Sequence, residues 1–400
     1  MVTFLWRGIL PKQRGSRAGW HAPGHSGISG LLAIDRELQH RTMKPPTAPA
    51  IFRHHFSSMG CPAEIVLYAG NAECAANAIA GAESEVHRLD HKYSHYRRDS
   101  ELELMLQQAS RAGGVRVDDE TAALLNFATT QYQVSAGLFD ITAGRLTALW
   151  DRAQAVPQAQ QICSALALTG WHRVGWDGTM LHVPGGMRLD LGGVVKEYAA
   201  DRAALQLKTA GIQSGYVDLG GDLHFLGPHP DGSAWRAGVR NPRGAGAIAA
   251  MTLHRGGLAT SGDYERCLEV DGQRFGHIIN PFTGWPVQGL ASVTVVAPSC
   301  LLAGAVSTLA MLQGRDAGLE FLSTCGLQWM AHDGHFSWPG RNCMLQPPKL
   351  LRPGQPERNT KHANISCNNP SSNTSHNRSN PGDFTCHFAG NHGQLVAATG

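Results

Sequence analysis

The chain has 400 residues, of which 42% are hydrophobic and 16% charged, enough apolar material for one large domain or two to three smaller ones. This excludes a wholly disordered or fibrous chain, and 34 basic against 31 acidic side chains, a net charge of +3, are too evenly balanced to mark a nucleic-acid or membrane surface. No apolar run reaches the roughly 18 residues that a spanning helix needs, so a soluble protein is expected.

Residues 1–52 carry no secretory pattern, because Thr3-Phe4-Leu5-Trp6 meets Arg7 before an apolar core builds. They are expected to be a disordered extension, with a second candidate start at Met43, and the location expected is cytoplasmic. A strand is predicted over 63–68, where Ile65, Val66 and Tyr68 supply β-branched and aromatic character. Ala75, Ala78, Ile79, Ala82, Val86 and Leu89 then share one face of a helix. A second helix is predicted over 119–135 and a third over Lys196–Ala210, stopped by Gly211. Strands follow over 215–226, 234–239, 248–253 and 292–297, then a helix over 301–313 stopped by Gly314. Residues 328–338 read as a hairpin turning at Asp333-Gly334. Antiparallel-looking strands with helices between them place the chain in the α+β class. From about Gln346 the chain is rich in Asn, Ser, Pro and His without apolar periodicity, and 346–400 is expected to be a disordered tail.

Nine cysteines are scattered without a C-x-x-C pair, which suits reduced thiols better than a disulfide framework or a zinc ribbon. The 20 histidines form no H-E-x-x-H arrangement. Chemistry points instead to three glycine-bearing junctions. Arg188-Leu189-Asp190-Leu191-Gly192-Gly193-Val194-Val195-Lys196 runs from a strand through two glycines into a helix. Unpaired backbone N–H groups at a positive helix end, with a lysine in its first turn, suit a phosphate. A tight turn with a surface lysine is the equal alternative. Val217-Asp218-Leu219-Gly220-Gly221-Asp222 repeats the strand-glycine-carboxylate pattern, and read alone it suits a bulge capped by an aspartate. In the third, Thr260-Ser261-Gly262-Asp263-Tyr264 precedes His277-Ile278-Ile279-Asn280-Pro281-Phe282-Thr283-Gly284. His277, on a predicted strand, is either a satisfied core histidine or a general acid or base in a rigid frame.

The order of these segments, together with Ser58-Met59-Gly60, Tyr93 to Leu102, Gly137-Leu138-Phe139-Asp140-Ile141-Thr142 and Ala303-Gly304-Ala305-Val306-Ser307-Thr308, resembles the FAD:protein FMN transferase (ApbE) family over roughly residues 53–344. The resemblance implies one domain over 53–345, with mainly antiparallel sheets and packed helices around a flavin-binding cleft. It also implies a transferase that uses Mg²⁺ to cleave FAD, moves FMN onto a threonine hydroxyl of an acceptor flavoprotein, and releases AMP. An FAD-binding protein or a weak FAD pyrophosphatase is the alternative. By the same resemblance, His277, Lys196 and Asp263 would be catalytic. Met59, Tyr96, Leu138, Phe139, Asp140, Asp190, Lys196, Thr260, His277 and Ile278 would bind the cofactor, and Gly193, Gly304 and Thr308 would face the metal. Gly304 stands where the family usually has a metal-binding aspartate, and Glu197 where a glycine is usual. Glu197 is then a candidate for supplying the missing carboxylate from the facing helix, the plainer account being a first-turn glutamate that suits the helix dipole. Cys61, Arg145 and Asn280 replace a threonine, a proline and an aspartate.

Overall fold

A computed structural model describes residues 48–340, apart from Tyr96 and Ala112 and the side chain of Arg111. The expected tail and most of the expected extension, along with Cys343, Cys367 and Cys386, lie outside these residues. The chain begins with β1 (Ala50–Ser58) and β2 (Cys61–Ala69), then α1 (Ala72–Tyr93), α2 (Glu101–Arg111), β3 (Val115–Arg116), α3 (Asp119–Val134), α4 (Gly144–Asp151) and α5 (Ala159–Leu166). Next come β4 (Gly175–Trp176), β5 (Met180–His182), α6 (Gly192–Thr209), β6 (Gly215–Leu219), β7 (Asp222–Gly227), β8 (Trp235–Arg240) and β9 (Ala247–Leu253). The remainder is β10 (Gly256–Gly262), β11 (Cys267–Val270), β12 (Gln273–Gly276), β13 (Ser292–Ala297), α7 (Cys300–Leu312), α8 (Arg315–Thr324), β14 (Gln328–His332) and β15 (Ser337–Pro339). The α+β class is the observed one, and β1 opens the fold slightly ahead of residue 53.

Eight strands form one antiparallel sheet in the order β1-β2-β6-β7-β10-β13-β14-β15. Side chains alternate across it. Ile65 and Leu67 of β2 join Val217 and Leu219 of β6 in the main core with α1, α6 and α7, whereas Val66 faces the other way and packs with Phe225 and the β8–β9 hairpin. A third, smaller core joins Leu146 and Trp150 of α4 to Ile162 of α5, Phe275 of β12 and Ile279.

Two expectations need correction. The single strand predicted over 215–226 is a hairpin, β6 and β7, closed by Gly220 and Gly221 with φ of 64° and 95°. Two consecutive positive-φ residues make a type I′ turn, whose twist matches that of paired strands. Met59 and Gly60 (φ 52° and 70°) close β1 to β2, and Asp271 and Gly272 (φ 51° and 76°) close β11 to β12 in the same way. Helix α6 starts at Gly192 rather than Lys196, and only a single bridge between Ala143 and Arg188, not a strand, precedes it.

An ion-pair cluster holds α6 to its neighbours. Glu85 and Arg88 of α1, Glu120 of α3 and Arg202 of α6 are linked by contacts of 2.7–2.9 Å, and Lys92 reaches both Asp118 (2.8 Å) and Glu120 (3.0 Å). Tyr198 of α6 donates to Glu120 at 3.2 Å. Burial opposes the charge on Glu120, but hydrogen bonds from Arg88 and Lys92 outweigh it and pull its pKa down to about 2. A carboxylate held below its unfolded pKa stabilises the fold above pH ~4.5, and the benefit disappears as pH falls toward 2. Glu120→Gln is therefore expected to lower the melting temperature at pH 7, with the gap to the parent chain closing as pH approaches 2. Thermal melts across that range check it.

Candidate functional site

Helices α6 and α7 run antiparallel in contact, and their mutual register builds the site. Asp201 of α6 accepts from Cys300 N (2.7 Å) and Leu301 N (3.0 Å), capping the start of α7, while His224 Nδ1 lies 2.6 Å from the same carboxylate. Ser299 adds the N-cap bond to Leu302 N. Strand β10 meets this point so closely that a Cβ on Gly257 would lie 2.1 Å from Cys300 N. One turn along each helix, a Cβ on Gly304 would lie 2.6 Å from Glu197 Cγ. Gly193 lies one turn before Glu197 on α6 and Thr308 one turn after Gly304 on α7, and a Cβ on Gly193 would meet Phe139 at 3.8 Å. Ser261 of β10 hydrogen-bonds both Ser307 (2.8 Å) and Thr308 (2.9 Å), so the hydroxyl row of α7 is tied to the sheet.

Lys196, half-buried, and Asp222, buried, form an ion pair. Asp222, 2% exposed at the start of β7, also accepts from Thr260 N at 3.2 Å. Burial works against the charge on Lys196, yet Asp222 and Glu197 prevail and keep its ammonium above the usual lysine range. This corrects the expectation that Lys196 stands in the first turn as a free point charge. Glu197 is itself buried, its pKa pushed up to about 7 by burial and then by Asp222, with Lys196 pulling the other way. Its Oε2 has no hydrogen-bond partner among the described residues. It sits in the second turn against α7, so the helix-dipole account of this residue fails.

A cleft of about 440 Å³ is lined by His95, Trp150, Arg188, Arg266, Cys267 and His277 among others. His277 lies just past the end of β12, not on a strand as expected. Its Nδ1 is buried with no partner among the described residues, and burial followed by the charge of Arg266 lowers its pKa from the ordinary value, so it rests neutral. Arg188 donates to the carbonyl of His95, whose Nδ1 is 3.2 Å from Asp190 Oδ1. Asp190 accepts from Gly192 N at 2.8 Å and so occupies the N–H group at the positive end of α6. Burial would raise its pKa, but the hydrogen bond and charge of His95 and the bond from Gly192 N hold it below the usual carboxylate range.

The remaining expected residues divide into those that line the site and those that frame it. Phe139 is buried with its ring 3.8 Å from a Cβ built on Gly193, and half-buried Leu138 precedes it. Met59 occupies the β1–β2 turn, its N–H donating to Asp90 at 2.8 Å, and a Cβ on Gly60 would meet Arg266 at 3.8 Å. Ile278 is half-buried beside His277, its carbonyl accepting from Val287 N. Asp140, in contrast, holds its own loop: its carboxylate accepts from Thr142 N, Thr142 Oγ1 and Trp171 N at 2.6–3.0 Å. The Thr260 hydroxyl pairs with Thr294 (2.9 Å), and its N–H steadies Asp222. Asp263, expected to be catalytic, is bound in a two-pronged ion pair by Arg243 at 2.6 Å on each arm. Tyr96 lies outside the described residues. Asn280 accepts from Phe282 N and Thr283 N, a turn that an aspartate would make equally well. Sequence reasoning missed Asp222 and Ser261 as individual groups. A carboxylate immediately after a Gly-Gly turn, at an inward strand position, was the available sign for Asp222.

The ApbE family's sequence profile matches residues 59–330. The chain belongs to that family. A Klebsiella pneumoniae protein named FAD:protein FMN transferase is 30% identical over 306 residues, covering 74% of this chain and 91% of its own. A Haemophilus influenzae protein of the same name is 30% identical over 243 residues, 57% of this chain and 70% of its own. The crystal structure of the ApbE protein from Thermotoga maritima superposes with a TM-score of 0.68 at 30% identity, covering 73% of this chain and 97% of the other, and the solved structure of the flavin transferase ApbE from Vibrio cholerae does so with 0.65 at 25% identity, covering 73% and 98%. The described residues therefore have the ApbE fold. Among the described residues no helix is long and apolar enough to cross a membrane, and no group of three or more His, Cys, Asp or Glu is placed to hold a metal by itself.

Asp201 has no place in the cleft, yet it fixes the level of α7. Asp201→Ala is expected to cost about 2 kcal/mol, a lost cap with two N–H groups left unmet. Urea unfolding measures it, and Asp201→Asn should recover part of the loss.

Proposed function

We propose that this ApbE-family chain transfers the FMN half of FAD to a threonine hydroxyl of an acceptor protein and releases AMP. The observation that carries the reading is the cleft that brings Arg188, Arg266 and His277 together. It is joined by relatives named for this activity over most of their length. Phosphoryl transfer needs little covalent help from a protein, but it does need positioning and neutralised charge.

The residues divide that work. Arg188 and Arg266 border the cleft as cationic groups for a diphosphate, and Trp150 and Phe275 in its lining offer apolar faces for a ring. The acceptor hydroxyl oxygen attacks the phosphorus that carries riboflavin, and the P–O bond to the adenylate breaks. AMP departs with the bridging oxygen and its electron pair. The hydroxyl proton passes to the imidazole of His277, which rests neutral with Nδ1 lacking a partner. Lys196, paired with Asp222, acts by holding the α6 and β7 walls together rather than by touching phosphate directly.

A Mg²⁺ ion, when bound, would draw negative charge off the diphosphate oxygens. Such a cation takes hard oxygen ligands, and the carbonyl of Gly193 and the hydroxyl of Thr308 are of that kind. Gly304 has no side chain to offer. The space its side chain would fill holds the carboxylate of Glu197 instead, buried and with one oxygen lacking a partner, so the residues present fit a divalent cation.

The purified chain incubated with FAD, Mg²⁺ and a candidate acceptor domain is expected to give covalent FMN on the acceptor by mass spectrometry and AMP in solution. AMP and free FMN without labelled acceptor would mean a pyrophosphatase, and retained FAD without products would mean a binding protein. Because the pKa of His277 is depressed, the acid limb of kcat/KM should fall below pH ~6.5, with activity lost as the imidazole protonates. His277→Gln should abolish that limb together with at least about 100-fold of the rate.

A further inference from the structure

We propose that Glu197 supplies the carboxylate ligand of the divalent-cation site from α6, and that residue 304 of α7 is glycine because Glu197 fills the space its side chain would take. The inference rests on the transferase reading for the presence of a cation, and on this chain's own geometry for the ligand. A Cβ on Gly304 would lie 2.6 Å from Glu197 Cγ, 2.8 Å from Oε1 and 2.9 Å from Cδ. Real Cβ atoms do not approach side chains so closely, so a side chain at 304 and Glu197 in its present rotamer exclude each other. The carboxylate group therefore stands at the place from which a short acidic side chain on α7 would reach the site.

Three further observations point the same way. Glu197 is only 7% exposed, and its Oε2 has no hydrogen-bond partner among the described residues. A buried carboxylate oxygen without a partner is costly, and a hard cation is the partner that uses it best. The nearest cation in sequence, Lys196, is committed to Asp222, whose other oxygen receives Thr260 N. Finally, the antiparallel register carries Glu197 to the level between the Asp201 cap and Thr308, whose hydroxyl Ser261 fixes at 2.9 Å. Gly193 precedes Glu197 by one turn, so its carbonyl points along the helix toward Glu197. A carboxylate, a hydroxyl and a carbonyl form an all-oxygen set that suits Mg²⁺ or Mn²⁺ and not a thiophilic metal.

The test is direct metal binding by the full chain with FAD and no acceptor, using Mn²⁺ followed by electron paramagnetic resonance and Mg²⁺ followed by calorimetry. Glu197→Gln, which keeps the shape, is expected to weaken both ions at least about tenfold while FAD affinity without metal and the melting temperature stay close to the parent values. Gly304→Asp alone should lower the melting temperature because it collides with Glu197. Glu197→Gly combined with Gly304→Asp should restore metal affinity to within about threefold, returning the carboxylate to α7. Parent-like Mn²⁺ binding by Glu197→Gln would overturn the inference. Should Glu197→Gln fail to fold, the double exchange decides: folded and metal-binding supports the inference, folded without metal binding overturns it. A chain that binds metal through Glu197 but transfers no FMN would defeat the transferase reading alone, and active transfer with metal affinity unaffected by Glu197→Gln would defeat only this inference.

Discussion

The contact between α6 and α7 is the constraint on which the rest depends. These helices approach closely at Gly304, where a Cβ would lie 2.6 Å from Glu197 Cγ. Asp201 then locks their relative height by accepting from the first N–H groups of α7. A shift of α7 by one residue would rotate Thr308 away from Ser261 and separate Gly304 from Glu197, since successive helical residues lie about 100° apart. The height of α7 against α6 is thus set by a structural cap.

Around that seam the cleft is assembled from tight corners. Two type I′ hairpins, at Met59-Gly60 and Gly220-Gly221, end at the same edge of the sheet, where a Cβ on Gly220 would lie 2.9 Å from Cys61 Cβ. Such turns bring backbone close without side chains in the way, which leaves room for a bulky ligand. Charge is arranged in layers. Asp222 and Lys196 neutralise each other inside, while Arg188 and Arg266 face the cleft. Burial of Cys61 pushes its thiol up to about 11, so this residue of the turn stays protonated and inert near the site.

Much of the site was legible because its residues sit at punctuated positions. The glycine pair after an apolar strand announced the corner at 220–221, a second pair marked the start of α6 at 192–193, and His277 beside a Pro-Phe-Thr-Gly turn stood out among many histidines. The errors have physical causes. Residues 215–226 are apolar on both sides of their glycines, so the run read as one strand when the turn was already in it. The short strands β11 and β12 carry charges on exposed faces, which hid a hairpin although Asp271-Gly272 is a strong turn signal. From the sequence Asp263 is expected to be catalytic and Asp140 to bind the cofactor. In the structure both carboxylates are engaged, Asp263 by Arg243 and Asp140 by its own turn and Trp171 N.

By itself the sequence determined the α+β class, the main helices and strands, and the set of corners from which a dinucleotide cleft could be built, since these follow from periodicity and from the backbone freedom of glycine. Only the tertiary structure decided which groups are already spoken for. Whether Lys196 is free or paired, whether Asp263 is available, and whether Glu197 faces the helix dipole or the space left by Gly304 all depend on residues tens of positions away. Local pattern carries no information about such partners, because ion pairing and side-chain exclusion are fixed by three-dimensional proximity and not by spacing along the chain.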